Sequence, residues 1–422
     1  MNILLISVWT NFSTSEKEYK VLDEKGDETD IIIRSPKASI AEFNYLMDKV
    51  DKVTFLSFLP SFLSSSLNSL PSTYSELENL LKEKALQYSI PLEAYLLPAN
   101  GVFNINGLTH IHDGGVGNYS FLIYYYTYKM LEEQKPDLIM LDLSETSSYL
   151  QYYSLKGVEL AVKEYAYNLN SQPLLIAFST DYTERLLTLS REIMKDIEIY
   201  NYLSNGELKL AKGFSTVGKS ELHGIGIALK LGFPLALSYI IKNAEELISP
   251  EEFQKKILEG ITITRNEKVF ALKGTFRAST TAPYYFMGYH FVKSHKDLAL
   301  DEVPITKIEE SLYLYNEPAR SLIKREIEII KKLSTLIDDG EYLLSELIRI
   351  GNSRVLDWVS GNVKVNDKTS CDVFEDEMIS HAGMGRYFTI VKKSGGNVTL
   401  SYSQQCIDNV ISWVKSFGKQ ED

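Results

Sequence analysis

A doubly wound α/β domain followed by a mostly helical domain is the fold class this sequence predicts. Three observations predict it. Short apolar runs alternate with helical patterns through about residue 180. Two of those runs end in conspicuously polar loops. From about residue 301 the pattern turns to helical periodicity, broken by one hairpin signal.

Residues 3–8 read as a buried parallel strand that ends at a turn-rich loop, Thr10 to Ser13. Residues 53–58 read the same way, before Pro60. Residues 75–88 have helical spacing, with Ser75 and Glu78 as a capping box. Residues 92–97 predict a strand and residues 119–133 a long helix. Residues 138–143 form the clearest buried strand and run into polar Ser144 to Ser148. A helix over 149–167 and a strand over 174–178 complete the alternation. In such folds ligands sit beyond the carboxyl ends of the strands, so the loops after Val8 and Leu143 are candidate ligand loops.

Helices are expected over 183–194 and 225–241, with mixed strand and loop over 260–290. The last third predicts helices over 306–315, 317–338 and 341–350, and a short one over 374–383. Residues 387–393 and 397–402 flank Ser394, Gly395 and Gly396 as a hairpin, and a helix over 404–417 closes the chain. The expected organisation is an α/β domain over 1–180, a connecting segment over 181–300 and a helical domain over 301–422.

At 422 residues the chain exceeds one ordinary core. Its net charge of −12 excludes a chain-wide basic footprint for nucleic acid, so any RNA contact needs a local patch. Cys371 and Cys406 match no metal-ligand spacing and no disulfide framework, and they read as reduced, inert thiols. The N-terminus lacks the basic region of a signal peptide. The most apolar stretch, 229–241, is interrupted by Lys230 and Pro234, so no membrane span is expected and cytoplasmic residence is the default.

Two ordered sets of residues resemble a known family. The first is the strand ending in Ser7, Val8 and Trp9, then Gly117, Asn118 and Tyr119 opening an aromatic helix, then Asp142, Leu143, Ser144, Glu145 and Thr146. The second is Met378 to Met384, containing His381, Ala382 and Gly383, followed by the hairpin and the closing helix. Together they resemble the CARF–HEPN ancillary ribonucleases of type III CRISPR systems. The resemblance implies an α/β Rossmann-like (CARF) N-terminal domain plus a mostly α-helical HEPN C-terminal domain with a small β-hairpin.

The motifs depart from the family pattern in both halves. Where the family shows Asp-x-Thr-His-Gly, this chain keeps Asp142 and a hydroxyl at Ser144, with Glu145 in place of His and Thr146 in place of Gly. Where the family shows Arg, four residues, then His, this chain has Asp376 five residues before His381, and Glu377 replaces the usual Asn.

The resemblance implies a cyclic oligoadenylate, expected to be cyclic tetra-adenylate, as activating ligand of a homodimer or higher homo-oligomer. Ser7, Trp9, Thr10, Asn11, Asn118, Asp142, Ser144, Glu145 and Thr146 are the candidate ligand residues, with Trp9 able to stack on a base. It also implies metal-independent cleavage of single-stranded RNA, with His381 as proton acceptor or donor. Positive charge on the phosphorane suits arginine, for which Arg386 is the substitute candidate and Arg354 a more distant one. With Asp376 in the arginine position, the expectation is an endoribonuclease of weak or lost activity. The alternative is a non-catalytic cyclic-oligoadenylate-binding regulatory protein.

Other signals read as structural. Gly213 to Ser220 matches Gly-x4-Gly-Lys-Ser, yet the preceding residues 207–212 alternate like an exposed antiparallel strand, and no apolar run ending in Asp follows. His110, His112 and Asp113 lack a third obvious partner for a metal and are expected in a polar turn. Tyr124, Tyr125 and Tyr126 read as helix packing, and the charged run from Lys324 to Lys332 as a solvated helix face.

Overall fold

The chain begins with β1 (Asn2–Val8), β2 (Lys17–Leu22), β3 (Glu28–Ser35), α1 (Ala38–Met47), β4 (Lys52–Pro60), α2 (Tyr74–Leu86) and β5 (Leu92–Leu97). It continues with β6 (Asn100–Ile105), β7 (Leu108–Asp113), α3 (Val116–Gln134), β8 (Leu138–Asp142), α4 (Ser148–Asn168), β9 (Leu174–Thr180) and β10 (Arg185–Ile193). Then come α5 (Lys219–Leu231), α6 (Pro234–Asn243), α7 (Pro250–Glu259), β11 (Ile261–Arg265), β12 (Val269–Gly274) and α8 (Ala282–Ser294). The last part holds β13 (Val303–Pro304), α9 (Ile305–Glu310), α10 (Ala319–Ser334), β14 (Gly340–Leu343), α11 (Leu344–Leu356), α12 (Glu375–Ser380), β15 (Thr389–Ser394), β16 (Asn397–Tyr402) and α13 (Ile407–Ser416). This computed structural model describes residues 1–22, 28–146, 148–180, 185–193, 199–205, 208–212, 214, 217–244, 246–356 and 371–418.

Two units divide the chain. One comprises Met1–Asp196, Lys209–Ser215 and Ser249–Pro283; the other comprises Ile197–Leu208, Thr216–Ile248 and Tyr284–Asp422. The first is built on an eight-stranded sheet of order β3-β2-β10-β9-β8-β1-β4-β5. Its centre, β9-β8-β1-β4-β5, is parallel throughout. Ile3, Leu5, Phe55 and Met140 pack on Ile40 and Phe43 of α1 and on Leu77 and Leu81 of α2. Leu4, Ile6, Ile139 and Leu141 alternate to the other face and are equally buried, beneath α3 and α4. Burial on both faces explains why these strands are continuous apolar runs.

Apart from the edge strands β2 and β3, which follow β1 in sequence, β4 and β5 lie on one side of β1 and the later β8 and β9 on the other. The strand order therefore reverses between β1 and β8, which creates a topological switch point at their carboxyl ends. A second sheet, β11-β12-β7-β6, belongs to the same unit.

In the second unit α5 and α6 pack on each other and on α13. Glu221 and Lys415 pair at 2.9 Å between α5 and α13. The apolar stripe of α10 buries Ile323, Ile327 and Ile330. A four-stranded antiparallel sheet of order β13-β16-β15-β14 accompanies the helices. Among the described residues, no helix is long and apolar enough to cross a membrane.

Several expectations are corrected. Residues 185–193 form β10 rather than a helix, because strand partners on both sides, β9 and β2, override a helical pattern. The single helix over 225–241 is two, since Gly232 adopts a left-handed φ of 77° and Pro234 starts α6. The cap of α2 lies two residues earlier than Ser75: Thr73 Oγ1 accepts from the Glu76 N–H at 3.1 Å, and Glu76 accepts from the Ser72 N–H at 2.7 Å. Residues 282–290 are helical within α8, and 340–343 are extended as β14. The hairpin is the middle of a four-stranded sheet rather than an isolated ribbon. Cys371 and Cys406 are joined in a disulfide, their Cα atoms 4.8 Å apart, where free thiols are expected. Tertiary folding brings together two residues that lie 35 apart in sequence.

Closing that loop restricts the unfolded chain, so Cys371→Ser should lower stability by about 2–4 kcal/mol in reversible chemical denaturation, and reductant should abolish the difference. Gly117 lies in the first turn of α3, where an added Cβ would overlap the Ala278 carbonyl. Gly117→Ala should therefore cost about 1–3 kcal/mol in thermal or urea unfolding.

Candidate functional site

The switch point of the first unit carries a buried polar row. Ser7 of β1 aligns with Ser57 of β4 on one side and with Asp142 of β8 on the other. By strand alternation all three share the face that α1 covers. Asp142 Oδ1 accepts from the Ser144 backbone N–H at 2.9 Å and from the Ser144 hydroxyl, an Asx turn that shapes the loop after β8. Burial pushes the Asp142 carboxyl up to about 6; the Ser144 hydrogen bonds and Lys37 oppose that rise, and Glu145 adds to it. Glu42 of α1 is 4% exposed, and among the described residues neither of its carboxyl oxygens has a hydrogen-bond partner. Burial, with Asp142 nearby, holds it well above the ordinary carboxylate range. The hydroxyls of Ser7 and Ser57 are likewise buried without hydrogen-bond partners among the described residues.

Lys37, the residue before α1, is fully buried. Its Nζ lies 2.6 Å from Glu145 Oε2 and donates to Asn11 Oδ1 at 3.2 Å. The same ammonium sits 5.0 Å above the Trp9 ring. Burial lowers the Lys37 pKa, while Glu145 and Asp142 hold it up. Thr10 Oγ1 donates to the Glu145 carbonyl, so the loops after β1 and β8 are stitched together.

Of the sequence candidates, Ser7, Thr10, Asn11, Asp142, Ser144 and Glu145 thus converge at one point. Trp9 does not present its ring as a stacking surface. It is 1% exposed, donates through Nε1 to Ser39 Oγ at 3.0 Å, and packs edge-on against Phe12, Phe55 and Tyr88. Asn118 spends its amide on backbone: it donates to the Gly114 and Phe276 carbonyls and accepts from the Ala278 N–H, each at 2.8 Å. Thr146 Oγ1 donates to the Leu143 carbonyl at 2.8 Å, closing the turn. Sequence reasoning missed Lys37 and Glu42. The signal available was a lysine immediately before a helix, and an acidic residue between the buried Ile40 and Phe43.

The histidines of β7 are structural neighbours of aromatic groups. His110 and His112 are both buried and stack on each other 6.3 Å apart, within 6 Å of Phe270. They lie in a strand, not in a turn. Ser61 Oγ and Ser64 Oγ flank the His112 ring at 3.1 and 3.4 Å, and burial pushes its pKa down to about 3. Asp113 pairs instead with Arg277 at 2.5 Å. No metal-binding cluster of three or more His, Cys, Asp or Glu occurs among the described residues. Tyr124, Tyr125 and Tyr126 are buried in α3. In the Gly213–Ser220 match, Gly213, Ser215 and Thr216 lie outside the described residues, and Lys219 starts α5. Of residues 207–212, Glu207 is outside them too. The rest form no strand: Ala211 makes an isolated bridge to Ala278, with Leu208 and Leu210 buried.

In the second unit α12 ends at His381, and Ala382 and Gly383 turn the chain through left-handed φ values of 51° and 73°. Tyr402 anchors that turn by donating to the Gly383 carbonyl at 2.9 Å. His381 Nδ1 lies 3.3 Å from Glu326 Oε2 of α10, and Arg386 Nη2 lies 3.3 Å from His381 Nε2. A guanidinium only donates, so Nε2 accepts and the ring proton sits on Nδ1, facing Glu326. Glu326 is 5% exposed; its other oxygen accepts from Arg325 Nη2 at 2.8 Å, and that guanidinium also donates to the Ser380 carbonyl. Asp376 is exposed on α12. Glu377 accepts from the Arg386 backbone N–H at 2.8 Å, tying the loop back to the helix. The Arg354 side chain lies outside those described.

The run from Lys324 to Lys332 is therefore not wholly solvated. Glu326 lies on the stripe of Ile323, Ile327 and Ile330, and a carboxylate at helical spacing within an apolar stripe was the readable sign of a buried partner.

The first unit is a doubly wound α/β fold with a polar cluster at its switch point, and the second carries a His-centred polar site on a helical framework. A family model described as the CRISPR system endoribonuclease Csx1, CARF domain, matches residues 4–181. A second, described as the CRISPR system endoribonuclease Csx1, HEPN domain, matches residues 316–404. The chain belongs to the CARF–HEPN ancillary ribonuclease family of type III CRISPR systems. That pair of domains implies a CRISPR-associated ribonuclease regulated by cyclic oligoadenylate. No curated protein matches the chain.

The raised pKa of Asp142 has a defined sign in stability. Its folded value of about 6 exceeds the unfolded value near 3.8, so its contribution is complete below the unfolded value and is lost as pH rises through about 6. Asp142→Asn should therefore raise the melting temperature relative to wild type more at about pH 7.5 than at about pH 4, with a difference on the order of 1–3 kcal/mol.

Proposed function

We propose that the chain is a cyclic-oligoadenylate-responsive, metal-independent endoribonuclease that cuts single-stranded RNA at His381, with Arg386 supplying the positive charge that Asp376 does not. The observation that carries this reading is the line from Glu326 through the His381 ring to Arg386.

In this reading His381 Nε2 accepts the proton of the ribose 2′-OH. The 2′-oxygen bonds to phosphorus, and the bond to the 5′-oxygen breaks, leaving a 2′,3′-cyclic phosphate and a 5′-hydroxyl. Arg386 turns from the imidazole onto the phosphorane oxygens as charge develops there. Glu326, fixed by Arg325, orients the ring and stabilises the imidazolium, the role a buried carboxylate plays beside a catalytic histidine. A second copy of the set, supplied by homodimerisation, protonates the leaving oxygen. Residues 1–180 act as the sensor for cyclic tetra-adenylate, 181–300 as the connection and 301–422 as the nuclease, working in the cytoplasm.

An RNA cleavage assay in chelator, with and without cyclic tetra-adenylate, tests this. Wild type should cut in response to the ring, His381→Ala should be inactive, and Arg386→Ala should lose about 10²–10³ in rate. Ring binding without cleavage would favour the non-catalytic regulatory alternative, and full activity in His381→Ala would refute the site.

A further inference from the structure

We propose that Lys37 is a phosphate-binding residue of the sensor crevice and that Glu145 occupies its site as an internal competitor, which a phosphodiester of the ring ligand must displace. This rests on the sensor reading above and identifies the group through which the crevice opens.

The geometry is that of an anion site already filled. Lys37 Nζ is wholly buried and sits 2.6 Å from a carboxylate oxygen of Glu145. It also donates to the amide oxygen of Asn11 at 3.2 Å, and the Asp142 carboxyl is close enough to act on its charge. It stands immediately before the first turn of α1, whose N-terminus has no side-chain cap. Helix N–H groups and a fixed ammonium together suit a phosphodiester oxygen, and a carboxylate has the same charge in a similar shape. A lysine buried without an anion would be costly, so the unliganded protein needs a stand-in. Glu145 is that stand-in: its side chain is 17% exposed, and it can swing to solvent, whereas Lys37 has no exposed surface at all.

A second observation points to a ligand at the same place. The Ser7 and Ser57 hydroxyls and both Glu42 oxygens are buried with no hydrogen-bond partner among the described residues, beside a loop after β8 in which Ser144 and Thr146 are hydrogen-bonded. Buried polar atoms left unmatched are few in native folds, and a cluster of them beside a buried ammonium suits a bound polar group. The Lys37–Glu145 bridge joins the start of α1 to the loop after β8, the two segments that flank this row. Exchanging Glu145 for a ligand phosphate keeps Lys37 neutralised and frees the loop after β8 to move. It also accounts for an acidic residue in a loop that otherwise suits phosphate.

Calorimetric titration of full-length wild type, Glu145→Gln, Lys37→Met and the double variant with cyclic tetra-adenylate and with cyclic hexa-adenylate tests the exchange, with thermal melts confirming folding. Glu145→Gln should bind about tenfold or more tightly than wild type, because the competitor is gone. Lys37→Met should bind about 10–100-fold more weakly. Adding Glu145→Gln to Lys37→Met should change nothing further, since there is no ammonium left to compete for. Unchanged or weaker binding by Glu145→Gln would overturn the proposal while leaving the sensor reading intact, and a loss of equal size in the Lys37→Met background would show that Glu145 contacts the ring itself. Absence of binding by all four proteins would overturn the sensor reading and this inference with it. If Glu145→Gln does not fold, Glu145→Ala and the wild-type and Lys37→Met titrations carry the same comparison.

Discussion

The position of β1 at the centre of the parallel sheet governs everything at the sensor end. Because β1 is paired on both sides, its carboxyl end is the place where the connections diverge. The register then lines up Ser7 with Ser57 and Asp142. A shift of one residue would turn this row to the opposite face, beneath α3 and α4. The sheet therefore determines which polar groups meet, and α1 determines what closes over them. The cost of that closure is visible in Glu42 and Asp142, two carboxyls held above their ordinary range by burial.

An analogous economy operates at His381. One buried carboxylate, Glu326, satisfies an imidazole and a guanidinium at once, and each of those partners touches a different part of the α12 terminus. Burying a carboxylate costs less when its lone pairs are used. The pairing in turn sets the tautomer of His381 and leaves Nε2 directed at Arg386. Each unit thus pairs an acidic residue with a buried or partly buried cationic or imidazole partner, Glu145 with Lys37 in the first and Glu326 with Arg325 and His381 in the second.

The degree to which this was readable varied with the physics of each element. Strands buried on both faces, such as 3–8, 53–58 and 138–142, announce themselves as apolar runs, and their order is enough to single out the candidate loops at their carboxyl ends. The hairpin of β2 and β3 and the strand β10 sit toward the sheet edge, where amphipathic patterns are weak and pairing decides the conformation. The paired cysteines were legible only as two residues, because spacing says nothing of distance across a fold. Arg386 was a candidate from its proximity to His381, whereas Arg325 and Glu326 were hidden in a charged run whose solvated and buried members alternate around one helix.

By itself, the sequence determined the α/β alternation, the polar loops at two strand ends and the histidine at a helix terminus. These follow from local periodicity and turn chemistry, which each segment carries alone. Only the tertiary structure decided that Lys37 meets Glu145, that Trp9 belongs to the core, and that Glu326 backs His381. Those pairings join residues from 30 to more than 100 positions apart (Trp9 with Ser39, Lys37 with Glu145), and they form because packing of helices on a sheet, not sequence proximity, sets which side chains share a desolvated space.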